Sequence, residues 1–363
     1  MAERIFAAEA PGRVNLIGEH TDYNGGFVLP AAIPQRTHAI LRIASGRRVI
    51  ARSTNVGQPD RDSYVLEQEE RKGTWIDYLQ GITDVLRREG FRLSGFELEI
   101  ASEVPIGSGL SSSAALEIAT LRALRDAFSL DLPDVRMALL ARRAENEFVG
   151  APVGIMDQMA CTLADEHTAL FLDTRTLEYR RVPVPDAAEL VVINSGVAHN
   201  HAAGDYRTRR AECEEAARRL GVRELRDCDL GDLARVARLP DPFSRRAKHV
   251  ITENARVLET VDAFDHGNLA RVGQLFDESH ASMRDDFNVS VPEIDQLVQF
   301  AGECAEVYGA RLTGGGFGGS IVALVQLGTA RSVAERVVER YRATAKCAPS
   351  VLVPLSATRA PLS

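Results

Sequence analysis

Residues 11–26 combine a short apolar run with an unusual concentration of ionisable side chains. The sequence PGRVNLIGEHTDYNGG places Arg13, Glu19, His20 and Asp22 close together and ends in an Asn-Gly-Gly turn signal. A strand that only has to pack would alternate apolar and polar residues and keep its charges on one solvated face. Charged side chains beside a buried strand are costly to desolvate unless a partner pairs with them.

The chemistry of this segment suits a ligand that carries many hydroxyl groups, such as a sugar. Glu19, His20, Thr21 and Asp22 are four consecutive residues whose side chains form hydrogen bonds. The alternative is an N-terminal strand that runs into a charged surface turn. Composition alone supports these two interpretations about equally.

A second candidate for chemistry is a loop rich in glycine and serine, within VPIGSGLSSSAALEIAT at residues 104–120. Glycines let the backbone approach an anion closely, and the first N–H groups of the following helix are unpaired and favour negative charge. The loop is therefore a candidate phosphate cradle, although a serine-capped helix after a flexible turn is the simpler alternative. It is not a Walker A loop because it has no lysine, and no protein-kinase motif follows.

Two further segments are chemically unusual. LTGGGFGGSIVAL, at residues 312–324, contains five glycines before a strand, which is more than a turn needs because each ordered glycine carries an entropic penalty. In RRAENEFVGAPVGIMDQMA, at residues 142–160, Asp157 lies among apolar residues. Asp157 is therefore either a helix N-cap or a functional carboxylate. Taken alone, Glu145 would be a solvated helix charge.

These segments, in this order, closely resemble the galactokinase family of the GHMP kinase superfamily. PGRVNLIGEHTDYNGG is similar to the signature of the family, the serine-rich loop to its nucleotide-binding loop, GGGFGG to its third motif, and GIMDQ to the segment that carries its catalytic aspartate. The resemblance extends from residue 10 to about residue 325. The family pattern often has Cys at the position of Ser320, a difference from which no functional consequence is expected.

The resemblance implies an α+β, two-domain GHMP kinase fold. It implies a mixed-sheet N-terminal domain like domain 2 of ribosomal protein S5, an α/β C-terminal domain, and an active site in the cleft between them. We expect the domains at residues 1–184 and 185–363, because VPVPDAAE (182–189) is the best candidate linker.

The resemblance also implies an ATP-dependent kinase that phosphorylates the anomeric hydroxyl of D-galactose, with Mg²⁺ as cofactor. Asp157 would be the general base, beside Arg13, whose guanidinium favours the ionised carboxylate. The substrate would be bound by Glu19, His20, Thr21, Asp22, Asp157 and Tyr206. The nucleotide would be bound by Trp75, Gly107, Ser108, Gly109, Leu110, Ser111, Ser112 and Ser113, and the metal by Ser113 and Glu145.

Two other functions remain open from the sequence. One is a GHMP kinase for another sugar, such as arabinose, galacturonate or N-acetylgalactosamine. The other is a sensor that binds galactose and ATP without turnover. The EHTD and GIMDQ strings favour galactose, and the presence of Arg13, Asp157 and the loop serines favours catalysis.

Composition limits the class of protein. With 363 residues, 43 basic and 51 acidic, the chain has room for about two domains and a net charge of −8, which argues against nucleic-acid binding. No apolar run has the ~20 residues of a membrane span, and the N-terminus lacks the core of a signal peptide. Five scattered cysteines suggest free thiols. We expect a cytoplasmic protein, and a monomer.

Apolar periodicity predicts the elements that must position these residues. We expect helices at 76–89, 114–128, 134–148, 205–220 and 331–345, and a mostly helical region at 267–309. Strands are expected at 37–43, 95–100, 190–194, 320–327 and 350–355, with a hairpin near residue 170. The pair His199 and His201 has no further metal-ligand residues nearby and is interpreted as part of a loop.

The proposed role of Asp157 can be tested by the variant Asp157→Asn. We expect it to fold normally, because the change is isosteric, and to lose at least ~100-fold in kcat, because an amide cannot accept the proton. Circular dichroism and steady-state kinetics measure the two effects. A folded variant with a near-normal rate would refute the assignment.

Overall fold

The computed structural model describes residues 4–56, 61–165, 167–197, 202–345 and 347–353. His199 and His201 lie outside these ranges. The chain forms two compact units, which we call unit 1 and unit 2. Unit 1 comprises Met1–Arg13, Ala32–Ile106 and Leu110–Ala164, and unit 2 comprises Val14–Ala31, Gly107–Gly109 and Asp165–Ser363.

The described chain contains strands and helices that do not alternate strictly, as expected for an α+β protein. The strands are β1 (Ile5–Asn15), β2 (Phe27–Val28), β3 (Pro30–Ile43), β4 (Arg48–Ser53), β5 (Arg61–Val65), β6 (Phe96–Ser102), β7 (Thr168–Asp173), β8 (Tyr179–Pro183), β9 (Ala188–Asn194), β10 (Val307–Thr313), β11 (Ser320–Gln326) and β12 (Ser350–Val353). The helices are α1 (Ile76–Arg88), α2 (Ser112–Phe128), α3 (Asp134–Arg143), α4 (Met156–Leu163), α5 (Ala202–Leu220), α6 (Leu233–Val236), α7 (Phe243–Asp265), α8 (Leu269–Ser282), α9 (Pro292–Gly302) and α10 (Ala330–Thr344).

Unit 1 is built on a mixed sheet. β3 pairs with β1 and, antiparallel, with β6; β6 runs parallel to β4, and β4 is antiparallel to β5. Along β6, buried residues alternate with more exposed ones, as the period of two predicts. Helices α1 to α4 belong to the same unit, and α3 continues as a π-helical turn at Ala144–Val149.

Unit 2 contains a four-stranded antiparallel sheet in the order β10-β11-β9-β12. Its core includes apolar residues of β9, β10 and β11 together with residues from α5, α7, α9 and α10. In the same unit, β7 pairs antiparallel with β2 and β8. β7 and β8 form the hairpin that was expected near residue 170.

The helices predicted from periodicity are confirmed, with small shifts in their ends. Helix α7 was missed, because many of its buried positions are polar or charged, among them Arg246, His249, Glu253 and Asn254. Such a helix lacks the apolar stripe on which the prediction depends. The region 267–309 also differs, since its last residues already belong to β10.

The expected linker at 182–189 is shorter than predicted, because its two ends belong to β8 and β9 and only residues 184–187 connect them. Residues 165–184 belong to unit 2, where β7 and β8 pair with one another. The division into domains at residues 184 and 185 stays a prediction. Of the strand expected at 350–355, β12 covers the part that the structure describes.

No helix in the described ranges has both the length and the apolar character that a membrane crossing requires.

Helix α8 packs against β10 at a point where there is no room for a side chain. A Cβ atom added to Gly273 would lie 1.9 Å from the carbonyl oxygen of Tyr308, and one added to Gly309 would lie 2.2 Å from the carbonyl oxygen of Gly273. Both obstacles are backbone atoms, which cannot move aside as a side chain can. The close approach of helix and strand therefore depends on glycine.

We expect Gly273→Ala to lower the free energy of unfolding by about 1–3 kcal/mol, because overpacking forces the helix and strand apart. Gly302→Ala is the matched control, since nothing lies within 4 Å of the added methyl group in α9. Urea unfolding of both variants measures the effect. Equal stabilities for the two variants would show that the contact is not tight.

Candidate functional site

Arg13 and Asp157 form a close ion pair within unit 1. The Arg13 Nε and Nη2 atoms donate to Asp157 Oδ1 over 2.8 and 2.6 Å. The Arg13 side chain is buried, whereas that of Asp157 is 27% exposed. The carboxylate is thus held by a guanidinium and can still be reached by a ligand.

Asp157 is not the N-cap of its helix. It is the second residue of α4, and Ile155 occupies the capping position. Its side chain bonds to Arg13 instead of a backbone N–H group. Of the two interpretations left open by the sequence, the N-cap is therefore wrong.

Glu145 lies in the π-helical turn that extends α3, and it is almost fully buried. Its Oε2 accepts a 2.8 Å hydrogen bond from Gln158 Nε2, and the Ser113 side chain favours the ionised form of its carboxylate. Gln158 Nε2 lies 3.3 Å from Oε2 of a second buried acid, Glu117. Burial, followed by the charge of Asp157, raises the pKa of Glu145 to about 7.

The start of α2 carries the serines of the predicted phosphate cradle. Ser111 has a left-handed backbone, with φ of 60°, which is uncommon for a residue with a side chain. Its hydroxyl is buried and has no hydrogen-bond partner among the described residues. An unpaired buried hydroxyl beside free helix N–H groups is the arrangement expected where an anion binds.

An apolar cavity of about 150 Å³ lies in unit 1 beside these serines. Trp75, Ser112 and Ser113, three of the residues predicted to bind the nucleotide, line it. Most of the other lining residues belong to no motif and could not be predicted from the sequence. They are Thr37, Ser53, Asn55, Val56, Tyr78, Ile100, Ser102, Ile106 and Leu116.

The first part of the glycine-rich loop, Gly107–Gly109, belongs to unit 2, and Leu110 to Ser113 belong to unit 1. Gly107 and Gly109 have φ of 73° and 78°, a backbone conformation that favours glycine. Ser320 Oγ donates a 2.8 Å hydrogen bond to the Ser108 carbonyl oxygen. The serine-rich loop and the glycine-rich segment at residues 312–324 are therefore joined by a direct hydrogen bond within unit 2.

The segment predicted to bind the sugar lies in unit 2, and its residues differ in environment. Glu19 is buried; its Oε2 pairs with Arg311, and its Oε1 accepts a 3.1 Å hydrogen bond from the Gly314 N–H group. The Thr21 hydroxyl lies 2.8 and 2.6 Å from the carbonyl oxygens of Gly18 and Phe27. Thr21 therefore closes its own loop, whereas Asp22 begins a short 3₁₀ turn and is partly exposed.

His20 is held between two polar groups in a left-handed conformation, with φ of 64°. Its Nε2 lies 3.2 Å from the Gly315 carbonyl oxygen, so this nitrogen is the donor. Nδ1 then accepts a 2.8 Å hydrogen bond from the Tyr23 hydroxyl. The ring of Tyr206 lies 5.5 Å from that of His20, between centroids, so these two predicted sugar-binding residues are neighbours.

His20 and a residue of α7, His249, are both buried and neutral. Their rings lie 4.7 and 4.5 Å, between centroids, from the ring of Phe287. Burial lowers the pKa of His20 to about 3 and that of His249 to about 4. His249 Nε2 donates to the Glu19 carbonyl oxygen over 3.1 Å.

Sequence reasoning missed His249 and Arg311, two buried residues that contact the predicted sugar segment. Neither belongs to a recognised ligand-binding pattern. The only signal for Arg311 was its position directly before the third glycine-rich motif, in RLTGGG.

Three family profiles match the sequence. That of the GHMP kinases N terminal domain matches residues 77–165, the galactokinase galactose-binding signature matches residues 2–43, and the GHMP kinases C terminal matches residues 260–343. A protein named galactokinase from Roseiflexus sp. (strain RS-1) is 44% identical over 339 residues, which cover 92% of this chain and 86% of that protein.

Solved structures are similar as well. Lactococcus lactis galactokinase complexed with galactose has a TM-score of 0.92 and 34% identity, with 96% of this chain and 92% of that chain covered. Methanococcus jannaschii mevalonate kinase has a TM-score of 0.69 and 18% identity, covering 96% of this chain and 98% of that chain. At that identity the second likeness shows the fold alone.

The neutral burial of His249 predicts a pH dependence of stability. Its pKa of about 4 in the folded protein lies below the ordinary histidine value of 6.5, so between these values the unfolded chain binds more protons. The contribution of His249 to the free energy of unfolding is therefore present above this window and is lost as the pH falls through it, by up to about 1.4 kcal/mol per pH unit.

We expect His249→Gln to lose stability less steeply than the wild type between about pH 7 and pH 5, because glutamine can hydrogen-bond but does not titrate. Urea unfolding at several pH values measures this slope. The exposed His167, changed to Gln, is the matched control and should follow the wild type. Parallel curves for all three proteins would contradict the assignment.

Proposed function

Because the chain belongs to the galactokinase family of the GHMP kinases, we propose that it transfers the γ-phosphoryl group of ATP to the anomeric hydroxyl of D-galactose. The products are α-D-galactose 1-phosphate and ADP. The two-domain GHMP kinase fold expected from the sequence is confirmed by the structural likenesses. The observation that carries the proposed chemistry is the close contact between Arg13 and the partly exposed carboxylate of Asp157.

Asp157 is proposed as the group that receives the proton of the sugar hydroxyl. The Arg13 guanidinium pairs with this carboxylate, and its Nε and Nη2 atoms both donate to the same oxygen, Oδ1. A loose transition state demands little activation of the nucleophile, so orientation of the hydroxyl is also part of this role. Arg13 would in addition face negative charge on the transferred group.

The nucleotide is proposed to bind in unit 1. The cavity lined by Trp75 and Tyr78 offers an apolar, aromatic surface for the base. The N-terminal N–H groups of α2 and the serine hydroxyls would bind the phosphates. The unpaired hydroxyl of Ser111 supports this assignment, because a buried donor without a partner costs about 1–3 kcal/mol unless a ligand satisfies it.

The oxygen atoms of Glu145 and Ser113 are suitable ligands for a magnesium ion. The buried carboxylate of Glu145 and the Ser113 hydroxyl that stabilises its charge are both oxygen ligands, which suit this hard cation. We propose that Ser113 and Glu145 hold Mg²⁺, which when bound neutralises charge on the phosphates. Gln158 keeps the carboxylate in place through its 2.8 Å hydrogen bond.

The sugar hydroxyls are proposed to be bound by residues of unit 2, namely Glu19, His20, Asp22 and Tyr206. Support comes from the fixed positions of Glu19 and His20, whose polar atoms are held by Arg311, Gly314, Tyr23 and Gly315. A site with fixed acceptors rejects a sugar that misplaces one hydroxyl, because its own buried groups are then left unpaired. Thr21 is proposed to contribute by closing the loop that carries these residues, because its hydroxyl bonds to the carbonyl oxygens of Gly18 and Phe27.

We further propose that the protein acts in the cytoplasm, where ATP is available, and that it works as a monomer. Sedimentation at several concentrations tests the second point, since a dimer would sediment faster as its concentration rises.

The function is tested by ADP release with a panel of sugars. We expect activity with galactose to exceed that with glucose by up to about 10⁴-fold in kcat/KM, and to exceed that with arabinose, galacturonate and N-acetylgalactosamine. Phosphorus NMR identifies the anomeric phosphate. Asp157→Asn, prepared in the same way, controls for a contaminating kinase.

Two results would overturn the proposal. Higher kcat/KM with another sugar of the panel would make this a kinase for that sugar. Galactose binding in calorimetry without ADP release would make it a sensor.

A further inference from the structure

Arg311, on β10, is the largest side chain of the described chain that is fully buried. Its guanidinium donates in three directions within unit 2. Nε bonds to Ser279 Oγ over 3.2 Å, Nη1 to the Leu16 carbonyl oxygen over 2.8 Å, and Nη2 to Glu19 Oε2. One planar group therefore connects β10, α8 and the segment that precedes His20.

A second buried acid, Glu253 on α7, completes this cluster. Glu253 Oε1 lies 3.6 Å from Arg311 Nη2 and accepts hydrogen bonds from Ser279 Oγ (2.7 Å) and the Gly18 N–H group (3.0 Å). Glu253 Oε2 accepts from Arg256 Nε over 2.8 Å. Burial opposes ionisation of Glu253, but the charges of Arg256 and Arg311 outweigh it and hold the pKa at about 2.

This cluster restrains Glu19 at its main chain as well as its side chain. The side chain bonds to Arg311 and to the Gly314 N–H group, and the carbonyl oxygen accepts from His249. Gly18, directly before it, is held by Glu253. The conformation of the residues that lead into His20 and Asp22 is thus set by hydrogen bonds from two distant parts of the chain, helix α7 and the end of β10 with Gly314.

We propose that Arg311 is a positioning residue for sugar recognition, which holds Glu19 and the backbone of Asn15 and Leu16 so that the polar groups of residues 19–22 stand in fixed places. The inference rests on the proposed function, because it assumes that these residues bind the sugar. A forked, planar guanidinium holds a carboxylate, a hydroxyl and a main-chain segment at once in one fixed geometry, which the rotatable ammonium group of lysine does not reproduce.

A purely structural ion cluster would behave differently from a positioning one. Weakening a structural cluster lowers the stability of the protein and the amount of active enzyme, so kcat falls and the KM values stay the same. Weakening a positioning cluster loosens the sugar-binding residues of the folded enzyme, so galactose binding weakens while ATP binding does not. The split between the two KM values therefore separates the two roles.

The test is Arg311→Lys, which keeps the charge and removes the fork. We expect the galactose KM and the galactose Kd from calorimetry to rise roughly 10- to 100-fold, as for the loss of a hydrogen bond to a charged group. The ATP KM should change less than about twofold, because within the described ranges Arg311 bonds to Ser279, Leu16 and Glu19 and to none of the proposed nucleotide residues. All assays use the full chain, with folding checked by circular dichroism.

Arg246→Lys is the matched control. Arg246 is also buried in unit 2, where it bonds to Glu212, the Asp286 carbonyl oxygen and Asn288. It has none of the contacts with residues 15–19 that Arg311 makes within the described chain. We expect this variant to lose stability by a similar amount and to keep the galactose KM of the wild type.

A second variant, Ser279→Ala, keeps the test decisive if Arg311→Lys does not fold. It removes the hydroxyl between Arg311 Nε and Glu253 Oε1 and leaves both charges in place. We expect a rise in the galactose KM of about 2- to 10-fold, again without a change for ATP.

Three outcomes are informative. A selective rise in the galactose KM supports the positioning role. Equal rises for both substrates, or a fall in kcat alone, would overturn it and leave Arg311 as a structural residue. If the wild-type protein itself binds no galactose in calorimetry, the proposed function is wrong, and the role of Arg311 in sugar binding is wrong with it. This result differs from the failure of the Arg311 proposal alone, in which the wild type binds galactose and the variant does not weaken that binding selectively.

Discussion

The ion pair between Arg311 and Glu19 is the constraint on which the conformation of residues 15–22, the segment proposed to bind the sugar, depends. Both side chains are buried, so each charge has lost its hydration and requires a partner at close range. Removing one partner of such a pair costs about 3–5 kcal/mol, because the other charge is left uncompensated. The segment from Asn15 to Glu19 therefore owes its position to electrostatics as much as to the packing of its apolar residues.

Unit 1 follows a different electrostatic pattern. There the buried or partly buried acids Glu117, Glu145 and Asp157 influence one another, and the arginine in contact with Asp157 is Arg13. Burial and the charge of Glu145 keep the pKa of Glu117 well above its usual value. In unit 2 the two acids Glu19 and Glu253 are paired with Arg311 and Arg256, so the charges balance. In unit 1 the three acids outnumber the one arginine that contacts them within the described chain, which is the charge state expected of a site that receives a cation.

The sequence was informative wherever function concentrates residues locally. The EHTD segment, the serine-rich loop and GIMDQ could each be located because unusual residues stand next to one another, and the amphipathic helices could be located from their periodicity. The Arg311 cluster could not, because Gly18 and Glu253 are separated by 235 residues and Arg311 and Glu19 by 292. No local pattern reports a contact over such a distance.

Helix α7 was not predicted from the sequence for a related reason, which is that its buried residues are stabilised by partners far away in the chain. Its inner face carries charged and polar side chains that are buried only because other elements supply their partners, as Arg311 does for Glu253. The lining of the cavity in unit 1 was equally hard to foresee, since Ser53, Asn55 and Tyr78 are ordinary residues until the sheet and α1 bring them together. Residues whose role depends on their three-dimensional surroundings, and not on their type or local pattern, could not be predicted from the sequence.

The hydrogen bond from Ser320 to the Ser108 carbonyl has a consequence for the durability of the glycine-rich loops. A cysteine, which the family pattern often has at this position, can be oxidised to a sulfenic acid or captured in a mixed disulfide, and either product is larger and differently charged. A serine hydroxyl undergoes none of these reactions. In this chain the hydrogen bond between the two loops is therefore not affected by oxidation with peroxide or by thiol–disulfide exchange.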